Sequence, residues 1–246
     1  AIGSPQWMYS SGEYELEQSL RFNDDDSAYL SRTPSSAGNT KTWTWSGWVK
    51  RGNISGDDVL FSCGPSSSSY MRMRFINGAF EIASEDSALV VHLRTTALFR
   101  DSSAWYHIIV AMDTTQAISS NRTKFYINGI LSTAFSHSSY PSLNADTLAN
   151  ATVRHTIGTD YTDTTRPFDG YIGEVNFIDG AQKVPADFGE TGDYGEWKPK
   201  KYSGTYGTNG FYLPFKQDYT VEGFSTVIYK GNGGTQYIGG TGFKPD

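Results

Sequence analysis

The chain has 246 residues, of which 37% are hydrophobic and 15% aromatic; 20 Lys and Arg stand against 26 Asp and Glu, a net charge of −6. That balance disfavours phosphate-backbone binding, which needs concentrated positive charge, and charged residues at 19% are too few to hold the chain open by self-repulsion. The single Cys63 excludes an internal disulfide and a Cys-rich zinc site, and no apolar run approaches the ~18 residues of a membrane-spanning helix.

The opening Ala1-Ile2-Gly3-Ser4-Pro5 carries no basic stretch followed by an apolar one, so synthesis in a cytoplasm is expected. The Asn-x-Ser/Thr triplets at Asn53, Asn121 and Asn150 then read as chance in a Ser/Thr-rich chain. Residues 1–17 read as an arm, with Trp7 and Tyr9 as candidate interface aromatics. Glu13, Glu15 and Glu17 share one side of an extended segment; they read as a solvated face, without the cleft that a glycosidase carboxylate pair needs.

Strands are expected at 18–22 and 28–32. In 42–50, Trp43, Trp45, Gly47 and Val49 alternate with mostly polar residues, the period of a half-buried strand. Asn77-Gly78 joins 70–76 to 79–83, and Asn128-Gly129 joins 123–127 to 130–135; this dipeptide supplies the two positive-φ residues of a tight hairpin turn. Residues 105–113 are apolar on both faces, which predicts a central strand covered on each side. Further strands are expected at 58–62, 89–99, 152–158, 168–178, 210–215 and 226–230, with one short helical turn at 184–188. The expected core contains Trp43, Trp45, Leu60, Phe75, Ile82, Trp105, Ile109, Phe125, Ile127, Ile172 and Phe177. After Glu190 the composition shifts to Gly, Tyr and Lys, marking 191–246 as an extension with one or two strands that ends as if another strand were to follow.

No Gly-x-Ser-x-Gly elbow, His-Glu-x-x-His pair or phosphate-cradling Gly-Lys-Ser/Thr loop is present. His92, His107, His137 and His155 are scattered, and His107, inside an apolar strand, reads as a hydrogen-bonded core residue. Asp24, Asp25 and Asp26, then Asp57 and Asp58, and finally Asp160 and Asp163 fall in or beside expected loops. Loop carboxylates and carbonyls supply the oxygens that Ca²⁺ wants, so Asp57, Asp58, Asp160 and Asp163 are the candidate metal ligands; the competing reading is turn initiation. Tyr140 and Tyr161 are candidate sugar-stacking rings, while Trp197 and Tyr202 weigh more towards an interface.

Several segments together resemble laminin-G-like, concanavalin A-like domains: 18–30, Trp43-Thr44-Trp45-Ser46-Gly47-Trp48, Trp105-Tyr106-His107-Ile108, Lys124–Gly129, and Gly170-Tyr171-Ile172-Gly173-Glu174-Val175. The resemblance covers 18–190 and implies an all-β jelly-roll sandwich of two antiparallel sheets. A narrower resemblance, carried by Gln6–Tyr9, 175–190, 207–213 and 229–235, is to structural proteins of tailed bacteriophages. It implies a non-enzymatic tail-fibre, spike or capsid-decoration protein on the virion surface. Its implied partners are other virion proteins, copies of itself (a trimer above other oligomers) and a host-surface glycan. Pentraxins, which share the sandwich, place paired Ca²⁺ ligands where Asp57-Asp58 and Asp160–Asp163 fall, so a freestanding Ca²⁺-assisted carbohydrate-binding module is the alternative. The sandwich β-glucanases carry a Glu-x-Asp-x-Glu type strand; Glu174-Val175-Asn176 lacks the partner carboxylates, which disfavours hydrolysis.

Overall fold

A computed structural model describes residues 14–161 and 166–216. Trp7, Tyr9, Glu13, Asp163 and the strand expected at 226–230 lie outside the described residues. A compact unit extends to Phe215.

Its strands are β1 (Leu20–Phe22), β2 (Leu30–Arg32), β3 (Thr42–Arg51), β4 (Asp57–Ser66), β5 (Ser69–Ile76), β6 (Ala79–Asp86), β7 (Leu89–Leu98) and β8 (Tyr106–Asp113). They continue as β9 (Thr123–Ile127), β10 (Ile130–Leu131), β11 (Phe135–Ser139), β12 (His155–Ile157), β13 (Gly170–Asp179), β14 (Gly189–Thr191), β15 (Trp197–Pro199) and β16 (Phe211–Leu213). Pro185–Asp187 forms the expected short helical turn. Among the described residues, a front sheet runs β1-β13-β3-β8-β9-β10, with β16 also on β13, and a rear sheet runs β11-β7-β6-β5-β4-β12-β2. All of these pairings are antiparallel. The jelly-roll sandwich expected from sequence is therefore the architecture.

Period-two patterning decides the core. Trp43, Trp45 and Val49 of β3 point inward with Tyr106, Ile108, Val110 and Met112 of β8. They meet Leu60, Phe61, Met71, Met73, Phe75, Phe80 and Ile82 of the rear sheet. Each large side chain so buried contributes about 1.5–3 kcal/mol. The opposite face of β8 is covered too: Ile109 and Ala111 join Tyr126, Ile178, Phe188 and Tyr202 in a second, outer cluster. Two core expectations are corrected. Ile109 is buried on the outer side, and Trp105 stays 37% exposed. Trp105 precedes β8 in the outward register of His107 and Ile109, at the rim of what covers that face.

Both Asn-Gly turns form with positive φ: 51° and 87° at Asn77-Gly78, 49° and 79° at Asn128-Gly129. Gly129 is doubly required, because a Cβ there would lie 2.6 Å from the Trp197 ring. The second hairpin is shorter than expected. β10 has two residues, and β11 then leaves for the rear sheet to pair with β7, its Phe135 ring set edge-on to Phe125 at 5.7 Å.

β13 carries a bulge. Trp48 pairs with Gly173 and Ser46 with Asn176, so β13 spends one extra residue there. Glu174, at φ 49°, occupies the kink. The slip shifts the phase of the strand, so that Val175 and Phe177 face the core after Ile172. β1 pairs with 170–172 and β16 with 175–177 along the same edge, leaving the kink between them.

Candidate functional site

The outward side of the rear sheet gathers the acidic residues picked from sequence. Asp57 accepts from Arg74 and Arg166, both at 2.6 Å. Asp160 accepts from Arg72 at 3.1 Å and from Arg166 at 2.9 Å. Asp58 instead faces inward, bound at 2.8 Å by Arg51, whose guanidinium lies 4.4 Å from the Phe75 ring centre. Beside them Glu81, fully buried, holds Arg74, Arg94 and His92. Burial alone would raise the Glu81 carboxyl; the bonds from His92, Arg74 and Arg94 outweigh it and hold it below the usual carboxylate range.

These carboxylates do not fit a hard cation as they stand. Guanidinium groups already occupy Asp57 Oδ2 and both Asp160 oxygens, leaving Asp57 Oδ1 buried without a partner, and their charge repels a cation. Among the described residues no group of three or more His, Cys, Asp or Glu side chains is arranged around a metal position. Asp57 and Asp160 do share Arg166, so the sequence grouping is real in space; its cause is ion pairing.

The structure places the described aromatic candidates against the chain's own residues. Tyr161 is 7% exposed and stacks on Tyr70 at 6.0 Å, with Arg72 3.9 Å from the Tyr70 ring centre. Tyr140 is half-buried against the main core. Tyr202 is buried, stacked on Phe188 at 5.1 Å in the outer cluster. Trp197 is half-buried over Gly129 and Gly189. Both of the last two cover the chain's own front sheet, because the outward Ile109, Ala111, Tyr126 and Ile178 need covering.

His107 is the expected core histidine. Its Nδ1 accepts from the Trp197 indole N–H at 2.9 Å, so its proton sits on Nε2, 2.9 Å from Ser46 Oγ. Burial pushes the imidazole down to about 3, leaving it neutral. With its one lone pair taken by Trp197, this ring donates to Ser46 and is no base for it.

Among the described residues, one cleft combines exposed indole with polar groups. A groove of about 460 Å³ lies on the outer side of the front sheet, with Trp48, Trp105 and Gly173 in its lining. The segment at 14–19 contributes Tyr14, Glu15, Glu17 and Gln18, and the β14–β15 hairpin contributes Glu196 and Lys198. Trp48 is parallel to His107 at 4.6 Å, which fixes its ring. Trp105 keeps the larger free surface. Tyr14 also ties this segment down: its hydroxyl donates to Glu174 at 2.6 Å and meets the Tyr212 hydroxyl at 3.0 Å. Burial raises Glu174 to about 7, against opposing hydrogen bonds from Tyr14 and Tyr212 and the charge of Lys201.

Sequence reasoning missed this groove. The available signals were the outward parity of Trp48 and Trp105 within their strands, and the three-residue step from Ile172 to Val175 where strict alternation predicts two.

The two sheets and their order define a concanavalin A-like jelly-roll fold. The family model described as the concanavalin A-like lectin/glucanases superfamily (Laminin_G_3) matches residues 23–184, and the chain belongs to that family. The search of curated proteins finds no match. Similar solved structures include domain 4 of AbnA, a GH43 extracellular arabinanase from Geobacillus stearothermophilus, in complex with arabinotriose. It is 20% identical, with a TM-score of 0.46, over 59% of this chain and 64% of that one. A putative carbohydrate binding protein from Bacteroides ovatus is 15% identical, TM-score 0.48, over 68% of this chain and 44% of that one. A native heptameric SAP-like pentraxin from Limulus polyphemus is 14% identical, TM-score 0.45, over 63% and 71%. This chain thus spans less than two thirds of the first two structures.

Proposed function

We propose that this chain is a non-catalytic glycan-binding module that takes its ligand in the groove on the outer side of the front sheet. One observation carries the reading: on a sandwich of the lectin family, a fixed Trp48 and a half-open Trp105 share a cleft with carboxylates and the Gln18 amide. The flat apolar face of an indole suits the C–H face of a pyranose, and the polar rim suits its hydroxyls. An immobilised-glycan screen tests it. Saturable binding to at least one glycan, lost in Trp105→Ala with an unchanged circular dichroism spectrum, is expected; a blank screen, or binding indifferent to Trp105→Ala, overturns it.

In its finer form the proposal places the module on the surface of a tailed-phage virion, synthesised in the host cytoplasm, as a tail-fibre, spike or decoration component that oligomerises, a trimer above other states. The segments that resemble phage structural proteins support this, and multivalency would make a weak single-site affinity useful for attachment. Mass spectrometry of purified particles and light scattering of the isolated protein test it; absence from particles, or a strict monomer at high concentration, counts against it. The alternative is a freestanding module in which Ca²⁺ assists binding. It would require Asp163, or displacement of the arginines from Asp57 and Asp160; a chelator titration of glycan binding discriminates the two.

A further inference from the structure

The two sheets part at one margin. β12 and β2 end the rear sheet there, β13 and β16 belong to the front sheet, and residues of all four line a cavity of about 310 Å³. We infer that this cavity binds a small, flat, uncharged aromatic molecule carrying one hydroxyl group. The inference is independent of the outer groove and of the glycan reading.

Size and shape come first. An apolar cavity of about 150 Å³ takes one benzene, so 310 Å³ has room for two fused rings and a substituent. The walls are apolar, with Leu30, Phe61 and Ile157 on the rear side and Phe177, Phe211 and Leu213 on the front. Phe61 lies 6.1 Å from Phe177 at 23°, and Phe177 lies 5.6 Å from Phe211 at 18°, so the three rings nearly share one plane direction. Sheets packed about 10 Å apart leave a slot between them, and a flat occupant suits it.

The polar requirement comes from Asn150, which is 1% exposed and borders the cavity. Its Nδ2 donates to Asp179 Oδ1 at 2.6 Å and to the Asn39 carbonyl at 3.2 Å, which fixes the orientation of the amide. Its Oδ1 is then a buried acceptor without a partner. The bond to the Asp179 carboxylate polarises the amide and makes that oxygen a stronger acceptor. A buried polar atom of this kind is costly unless a donor meets it, and a ligand hydroxyl is such a donor. The surroundings disfavour an anion. The Asp179 carboxylate stands one hydrogen bond behind the amide, and His155 is no cation. Its Nε2 accepts from the Asn150 N–H at 2.9 Å, so its Nδ1 donates to the Val153 carbonyl at 2.7 Å, and burial holds the ring down to about 4. Arg32, exposed on β2, donates to the Asn209 carbonyl at 2.8 Å and lies 5.7 Å from the Phe211 ring centre.

The test uses three probes with one skeleton: 2-naphthol, its methyl ether 2-methoxynaphthalene, and 2-naphthoate. Each is titrated calorimetrically into the full chain at about pH 7, where a phenol keeps its proton. Saturable binding of 2-naphthol is expected, with the methyl ether about tenfold weaker for want of a donor and the anion weaker than 2-naphthol. Leu30→Trp and Leu213→Trp fill the cavity from opposite walls, and each should abolish binding with the circular dichroism spectrum unchanged; if one misfolds, the other serves. Trp105→Ala should leave binding of 2-naphthol as it is. Equal binding of 2-naphthol and its methyl ether, or tighter binding of the anion, overturns the hydroxyl assignment. No saturable binding, binding that persists in a folded filling variant, or binding lost in Trp105→Ala overturns the cavity as the site.

Discussion

The outward faces of the two sheets solve one problem in opposite ways. Each strand must place alternate side chains away from the core. On the rear sheet those positions hold Arg72, Arg74, Glu81, His92 and Arg94, which pair with one another and with Asp57 and Asp160, and both of these aspartates also hold Arg166. On the front sheet they hold Trp48, His107, Ile109, Ala111, Tyr126 and Ile178, which cannot satisfy themselves and draw the segment after β13 over them. A self-paired face has little left to offer a ligand, while a covered apolar face yields a cleft wherever the cover stops. The candidate site lies at such a margin.

Four experiments break or sharpen that contrast. The largest effect is expected from Glu81→Ala, which removes the buried partner of Arg74, Arg94 and His92 and leaves Arg74 with Asp57. Urea unfolding should show a loss of about 3–5 kcal/mol with glycan binding at the groove retained in the folded fraction; a loss under about 1 kcal/mol would mean that the rear network is ornamental.

Next comes pH, where the two faces should respond with opposite sign. Glu81 is held below its ordinary value, so its contribution is present above that value and lost as pH falls through the depressed one. Glu174 is raised to about 7, so its contribution is full below about pH 4 and is lost as pH rises through about 7. Tyr14, Tyr206 and Tyr212 face it, and Lys201 acts on it by charge. Wild type should lose on the order of 1–3 kcal/mol between mildly acidic and mildly alkaline pH. Glu174→Gln should flatten that limb, and an unchanged slope in the variant refutes the assignment.

Third, Trp105→Ala should cost about tenfold or more in glycan affinity while moving stability by about 1 kcal/mol or less, since its ring is far from fully buried. Smallest of all, Trp197→Phe keeps an aromatic ring over Gly129 but removes the indole N–H that His107 accepts. The loss of one neutral hydrogen bond should cost about 0.5–1.5 kcal/mol by thermal unfolding.

Much of this was legible in the chain itself. Alternation in 42–50, the two Asn-Gly turns and the two-sided apolarity of 105–113 gave the strands, their hairpins and the covered centre of the front sheet. What escaped were features set by pairing between distant segments. That Asp57 would meet Arg166, and Asp160 Arg72, depends on how β4, β5 and the loop before β13 come together, and spacing along the chain carries no trace of it. Tyr161 and Tyr202 read as exposed because their neighbours look like loop; each found a ring to lie on. The same blindness hid the groove, whose lining comes from residues 14–19, 48, 105, 173 and 196–199.

The margins of the sandwich also constrain how copies could join. The front sheet ends in two residues at β10 and three each at β1 and β16, and the rear sheet ends in three at β2 and five, mostly Ser, at β11. Stubs of this length give a neighbouring strand few backbone groups to zip onto. Among the described residues, these edges therefore discourage polymerisation by lateral strand addition.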